Sequence, residues 1–182
     1  MKRLFLNIAA LTLGVLIFTT SGCRKNYTIS EKQVILFQFD YVNYAWGYQQ
    51  QGFIIDNEGN VLVYNNPDEW NISEKDYILT EEQVSENLEK CIHSGKKITR
   101  ETLLKYSGFI PNIASSKVSA PKNVGADAGT TSFICYQYNE STGTYKGYLI
   151  RMEGDFTSEN LNFYSKKITA WMKDINSGIP GN

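Results

Sequence analysis

Two short turn sequences, each between strand-like runs, most constrain how this chain of 182 residues folds. They are residues 57–59 (Asn-Glu-Gly) and residues 140–143 (Glu-Ser-Thr-Gly). Asn and Gly tolerate the positive φ that a tight hairpin requires, and the flanking runs are rich in β-branched and aromatic side chains. The sequence therefore predicts two antiparallel hairpins, with strands at residues 52–56, 61–64, 133–138 and 145–152.

Three patterns outside the hairpins predict helices. Thr80 and Gln83 have the spacing of a capping box at the start of the first helix. Thr99 is expected to cap the second helix. The third helix is expected to begin near Ser158 and to carry one apolar stripe. That stripe consists of Leu161, Tyr164, Ile168, Trp171, Met172 and Ile175.

These elements together predict an α+β fold, in which an antiparallel sheet of two hairpins packs against about three helices. We expect a single domain over residues 34–182, a length that buries a real core. Residues 112–131 are mostly Ser, Ala, Gly, Asn and Lys, with few large apolar side chains. We therefore predict a mobile loop without regular structure at 112–131.

The first strand, at residues 34–44, leads into an aromatic run. In an extended strand Ile35, Phe37, Phe39 and Tyr41 share one face, whereas Gln38 and Asp40 mark the other face as more polar. Continued regularly, that second face receives an aromatic stripe. We favour burial of this stripe, either through a bulge near Asn43 or beneath a covering helix. The alternative is that the stripe is exposed and forms a possible binding face. The stripe consists of Tyr44, Trp46 and Tyr48.

Three cysteines are present in the chain. If the Cys23 sulfur is taken up by another covalent modification, Cys91 and Cys135 are the two cysteines that remain. They can form a disulfide in an oxidising compartment. The alternative is two buried thiols that pack as small apolar groups.

The N-terminus has the three-part pattern of a secretory signal peptide. Lys2 and Arg3 are basic, residues 4–18 are mostly apolar, and the small residues 19–22 lead into Cys23. The apolar run is too short for a permanent transmembrane helix, which needs about 20 residues. We therefore expect residues 1–22 to be a signal peptide and not a permanent transmembrane helix.

This pattern resembles the lipobox of bacterial lipoproteins, in which small residues precede a cysteine that becomes the mature N-terminus. Thr20 lies at the third position before the cysteine, where a lipobox usually has leucine. The resemblance implies removal of residues 1–22 as a signal peptide and lipidation of Cys23 with a diacyl (palmitate-type) anchor in the membrane. It also implies a location in the bacterial cell envelope, on the periplasmic face of the outer membrane. Residues 23–33 are expected to form a lipidated tether.

The mature chain is slightly acidic, and its charges are not clustered. Removing residues 1–22 removes two of the 18 Lys and Arg residues and no acid, which leaves 16 basic and 19 acidic residues. Nucleic acids favour clustered Lys and Arg, whose binding releases counterions from the phosphates. The sequence therefore argues against a nucleic-acid partner.

We find no catalytic, cofactor or metal-binding motif after Cys23. His93 is the single histidine, and we expect it in the last turn of the first helix, where an imidazolium interacts well with the helix dipole. Glycoside hydrolysis needs two carboxylates at a fixed separation. The candidates, most of which turn chemistry explains, are Asp40, Asp56, Glu58, Asp68, Glu69, Glu153 and Asp155.

These observations favour a non-catalytic envelope binding module that recognises a protein or a glycan through its sheet face and the 112–131 loop. One alternative is a glycan-acting enzyme that uses paired carboxylates. Another is an inhibitor or immunity protein that blocks a secreted enzyme.

Overall fold

The structure, a computed structural model, describes residues 28–72 and 77–179. The predicted signal peptide and the lipidation site Cys23 lie outside the described residues. The first part of the predicted tether, up to residue 27, also lies outside them.

The described residues form nine strands and four helices. The strands are β1 (Ile35–Asn43), β2 (Gln49–Asp56), β3 (Asn60–Asn65), β4 (Ile78–Thr80), β5 (Ile92–Lys97), β6 (Lys122–Asn123), β7 (Thr130–Asn139), β8 (Thr144–Gly154) and β9 (Phe156–Glu159). The helices are α1 (Glu81–Glu89), α2 (Arg100–Ser107), α3 (Ile110–Ala114) and α4 (Ser165–Ser177). Over these residues, none of the helices combines the length and the apolar character that crossing a bilayer requires.

The strands form one antiparallel sheet in the order β5-β3-β2-β1-β7-β8-β9-β6, and β4 pairs with the edge of β8 that β9 also uses. The predicted α+β class is confirmed, and the two predicted hairpins are present as β2–β3 and β7–β8. The prediction of a sheet of only two hairpins is wrong. Strand β1 pairs with both β2 and β7 and thereby joins the hairpins into a larger sheet.

The main core lies between one face of the sheet and helices α2, α3 and α4. Phe39 stacks on Phe53 with 5.3 Å between ring centroids, and Phe37 meets the edge of Trp171 at 5.2 Å. Burial of such aromatic side chains supplies much of the free energy of folding. The helices contribute Leu103, Ile110, Ile113, Ile168, Met172 and Ile175.

A second, smaller core lies on the opposite face of the sheet, where α1 covers one end. It is built from Ile35, Ile54, Tyr64, Leu79, Val84, Ile134, Tyr136 and Tyr145. Ile35 belongs to this second core, whereas Phe37 and Phe39 belong to the main core. The prediction that all three share a face is wrong, because the pairing register of β1 shifts between Ile35 and Phe37.

Two of the predicted helix starts are confirmed. Thr80 and Gln83 form the capping box of α1, and Thr99 accepts a hydrogen bond from the Thr102 backbone at the start of α2. The first helix is shorter than predicted, since it ends at Glu89. His93 therefore lies exposed in β5, paired with β3, and not in a helical turn.

The third helix begins later than predicted. Residues 156–159 form strand β9, and α4 starts at Ser165. Leu161 is exposed, so the apolar stripe starts at Tyr164, which packs against the main core with Ile168 and Met172.

The segment 112–131 is not without regular structure, which corrects the prediction. The end of α3 and strand β6 lie within it, and β6 pairs with β9. The Asp155 carboxylate also accepts hydrogen bonds of 3.0 Å from the backbone amides of Ala128 and Gly129. The backbone of β9 and its flanks needs hydrogen-bond partners, and this polar segment supplies them. Its mobility stays a prediction.

Residues 28–33 are docked on the domain, so the predicted tether over 23–33 is wrong for this part. The Ile29 side chain is buried in the main core. Gln33 Nε2 donates to the Tyr136 carbonyl at 2.6 Å, and Tyr145 Oη donates to the Lys32 carbonyl at 2.7 Å. The domain therefore begins before the first strand.

Of the two alternatives for Cys91 and Cys135, the structure has the free thiols and not the disulfide. Cys135 is buried in the main core, whereas Cys91 packs against the second core. The sheet separates the two side chains, and a disulfide requires Cβ atoms about 3.5 to 4.5 Å apart. Burial raises the pKa of the Cys91 thiol to about 12, so this thiol is a weak nucleophile at neutral pH.

We predict that both thiols remain free in the purified protein. Alkylation of the denatured, unreduced full chain, followed by peptide mass spectrometry, should modify Cys91 and Cys135 as fully as alkylation after reduction. A peptide pair that is linked through these cysteines and separates only after reduction would contradict the arrangement of the sheet.

Candidate functional site

A network of polar side chains occupies the centre of the second sheet face, beyond the part that α1 covers. Asp40 Oδ1 lies 2.7 Å from Tyr64 Oη and 3.0 Å from Gln50 Nε2, both of which donate to it. Gln38 Nε2 donates to Tyr64 Oη at 3.0 Å, and Tyr136 Oη donates to Gln38 Oε1 at 2.5 Å. Four neighbouring strands therefore contribute to one hydrogen-bonded cluster.

The register of the sheet builds this network. The shift at the start of β1 directs Gln38 and Asp40 to the second face. Asp40 is paired with Gly52 of β2, and Gly52 is paired with Tyr64 of β3. Because Gly52 has no side chain, the Tyr64 ring passes over it and its hydroxyl reaches Asp40. A Cβ at Gly52 would lie 2.6 Å from Tyr64 Oη and 2.0 Å from the Phe39 carbonyl oxygen.

The network forms the floor of an open cleft of about 300 Å³. Its walls include Trp70, whose ring stacks on Tyr64 at 4.2 Å between centroids. Asn87 of α1 holds the neighbouring loop, because its side chain exchanges two hydrogen bonds with the Asn71 backbone. The lining residues are Gln38, Asp40, Gln50, Trp70, Asn71, Ile72, Tyr77, Leu79, Ser132, Ile134 and Tyr136.

Burial shifts the acid–base properties of the network. Burial raises the pKa of the Asp40 carboxyl above its ordinary value, and the hydrogen bonds from Tyr64 and Gln50 act in the opposite direction. Burial, followed by the nearby Asp40 charge, raises the pKa of Tyr64 well above its ordinary value. Both Tyr64 and Tyr136 therefore stay protonated at neutral pH and act as hydrogen-bond donors.

The aromatic run 44–48 forms the hairpin loop between β1 and β2, and we call it the aromatic hairpin. Tyr44, Trp46 and Tyr48 are 72%, 82% and 47% exposed. Our favoured prediction of burial is therefore wrong, because β1 ends at Asn43 and the chain turns there. Asn43 Oδ1 accepts a hydrogen bond from the Ala45 amide, and Gly47 has a φ of 100° that completes the turn.

The aromatic hairpin is connected to the cleft by hydrogen bonds. Tyr48 Oη donates to Gln50 Oε1 at 2.7 Å, and Gln50 Nε2 donates to Asp40 at 3.0 Å. The Tyr44 and Tyr48 rings are 5.3 Å apart. The buried Gln50 side chain therefore links Tyr48 of the aromatic hairpin to Asp40 of the cleft.

Three of the other six carboxylates that we considered have structural roles. Asp56 accepts hydrogen bonds from the Glu58 and Asn60 amides and closes the β2–β3 hairpin. Glu153 forms ion pairs with Arg151 and Lys173, which lower its pKa although partial burial opposes them. Asp155 accepts hydrogen bonds from two backbone amides in the segment just before β7. Asp40 is the only acidic residue among the described residues that line the cleft.

Sequence reasoning identified Asp40 as one of seven acids and missed the other members of its network outside β1. Gln50, Tyr64 and Tyr136 lie on three other strands, and only the pairing of those strands brings them together. The polar face of the first strand was the available signal. Within the described ranges, no three His, Cys, Asp or Glu side chains are grouped as metal ligands.

We predict that Gly52→Ala destabilises the domain by about 1–3 kcal/mol, because the added methyl group overpacks the contact with Tyr64 and the Phe39 carbonyl. Urea unfolding of the parent and the variant measures this free energy. Gly125→Ala is the matched control, since a Cβ at that position lies 3.6 Å from its nearest neighbour. Equal unfolding midpoints for Gly52→Ala and the parent would contradict the close contact between Gly52 and the Tyr64 ring.

Comparisons with known proteins give no relative for this chain. No protein-family profile matches the sequence, no curated protein matches it significantly, and no solved structure matches its fold significantly. The site therefore has to be interpreted from its own chemistry.

Proposed function

We propose that this protein is an envelope lipoprotein, anchored through lipid on Cys23, whose domain is a non-catalytic glycan-binding module. The anchor is supported by the lipobox-like sequence up to Cys23. The glycan-binding assignment is supported by the cleft and the aromatic hairpin.

The hydrogen-bonded link between the exposed aromatic hairpin and the polar cleft is the observation that carries this proposal. Aromatic side chains provide a large, rigid contact area, on which a sugar ring can stack. Amide, carboxylate and phenol groups in a cleft fix the orientation of a ligand through its hydroxyl groups. The Tyr48–Gln50–Asp40 hydrogen bonds connect these two kinds of surface.

Binding fits this cleft better than hydrolysis does. Glycosidases use two carboxyl groups about 5 to 9.5 Å apart on either side of the bond that breaks. Asp40 is the only acid among the described lining residues, and Tyr64 and Gln50 already donate to it. Among the described residues, the cleft therefore offers recognition groups and a single carboxyl group, without a second one to pair with it.

A protein ligand is the second candidate, and the exposure of the aromatic hairpin favours it. Tyr and Trp at a protruding loop are common anchor residues of protein interfaces. An inhibitor or immunity protein would use this loop to enter the cleft of a secreted enzyme. Such a protein would form a tight complex with that enzyme and would not bind oligosaccharides.

We predict that Cys23 carries the lipid. Metabolic labelling of the bacterium with an alkyne fatty acid should label the parent chain, because two acyl chains give stable anchoring. Cys23→Ala should lose the label, and Cys91→Ala should keep it as a matched control. Equal labelling of the Cys23→Ala variant and the parent would refute lipidation at this residue.

We predict that Trp46→Ala weakens glycan binding at least tenfold and leaves stability almost unchanged. An exposed side chain contributes less than about 0.5 kcal/mol to the free energy of unfolding. Binding of the detergent-solubilised full chain to immobilised neutral, amino and acidic oligosaccharides measures the first effect, and urea unfolding measures the second.

Trp171→Ala is the control for this substitution, because Trp171 stacks on Tyr106 at 4.0 Å and contacts Phe37. It should destabilise the domain by about 3 kcal/mol. If Trp46→Ala lowers the free energy of unfolding as much as Trp171→Ala does, the Trp46 side chain is buried and the exposure of the aromatic hairpin is refuted. If the parent binds none of the oligosaccharides, the glycan proposal fails.

A further inference from the structure

The charge of Asp40 is not balanced by any cation that the structure describes. The ion pairs among the described residues join Lys32 to Glu140, Arg151 to Glu153 and Glu159, and Lys173 to Glu153. Asp40 takes part in none of them. Its described hydrogen-bond donors are the neutral side chains of Tyr64 and Gln50.

A half-buried carboxylate with neutral partners is unfavourable, because removing an anion from water is only partly offset by dipoles. The raised pKa of Asp40 agrees with this description. A positively charged group in the cleft would offset the cost directly, and a neutral hydroxyl group would offset it less.

The walls of the cleft also favour a cation. Trp70, Tyr77 and Tyr136 line it. Aromatic rings attract ammonium groups through their π-electrons, and the attraction is largest when water is excluded. The volume of about 300 Å³ is at the small end for a ligand site, so one ring or one terminal group of a ligand enters.

We propose that this cleft is a subsite for an ammonium group, and that the glycan carries it as the free amino group of an amino sugar. The ammonium group would lie against Asp40, with Trp70 and Tyr136 beside it, while neighbouring sugar rings stack on the aromatic hairpin. This inference rests on the proposed glycan binding and specifies its ligand.

Three oligosaccharides with the same linkage test this assignment, since they differ at one substituent. They are oligomers of glucosamine, which bears an ammonium group, of N-acetylglucosamine, which bears a neutral amide, and of glucose, which bears a hydroxyl group. Calorimetry with the detergent-solubilised full chain should give an affinity for the glucosamine oligomer at least tenfold higher than for the other two.

Asp40→Asn should abolish this preference, because the amide has the same shape and no charge. Affinity of the parent for the glucosamine oligomer should also fall when the pH decreases through the raised pKa of the Asp40 carboxyl, since Asp40 takes up a proton in the acid range where the amine is already protonated. This pH series uses the parent alone, so it tests the charge even if Asp40→Asn does not fold.

Lys75→Ala provides a further control, because residues 73–76 connect two residues that line the cleft, Ile72 and Tyr77. Glucosamine binding that appears only in Lys75→Ala would mean that a lysine of the chain already serves as the cation, and would overturn the proposal.

Equal affinity for all three oligosaccharides would overturn the ammonium subsite and leave glycan binding intact. If none of the three oligosaccharides binds, both the ammonium subsite and the proposed glycan binding are refuted. Tighter binding of a lysine-containing peptide would assign the subsite to a protein ligand instead.

Discussion

The pairing of β1 with both β2 and β7 is the constraint on which the rest of the structure depends. Each predicted hairpin is a local unit, and neither buries enough apolar surface to be stable alone. Strand β1 connects them, so that Phe37 and Phe39 complete the main core while Gln38 and Asp40 face the opposite side. Strand β1 thus supplies apolar side chains to the main core and polar side chains to the opposite face, next to the second core.

The polar face lowers stability but holds its side chains in one arrangement. Ile54 and Ile134 flank Gln38 in the neighbouring strands, so apolar residues at the polar positions of β1 would extend the second core across the sheet. The chain instead has a connected set of donors and acceptors there, and such networks hold their members in one geometry when all are satisfied. Rigid polar groups beneath an open cleft lose little entropy when a ligand binds.

Local signals predicted the local structure, and pairing between distant segments determined the rest. The hairpin turns and the Thr80 capping box were predicted because a few adjacent residues determine them. The apolar residues Val84, Leu88 and Ile92 are spaced four apart, which favours a helix through residue 92, but pairing with β3 makes Ile92–Lys97 a strand. Likewise, the polar face of β1 was predicted, whereas the shift at its start and the partners of Asp40 depend on the register of three strands. Helix or strand propensity alone carries no such information.

Under the lipid anchor proposed above, the docking of residues 28–33 limits the distance between the domain and the membrane. With Ile29 fixed in the core, only the five peptide links from Cys23 to Thr28 separate a lipid on Cys23 from the docked segment. Fully extended, five residues reach at most about 18 Å. A domain held by so short a connection stays close to the bilayer surface. The aromatic hairpin lies at the far end of β1, about 30 Å from the start of that nine-residue strand. A lipoprotein of this design would search a thin layer next to its own membrane and would not reach across a wide compartment.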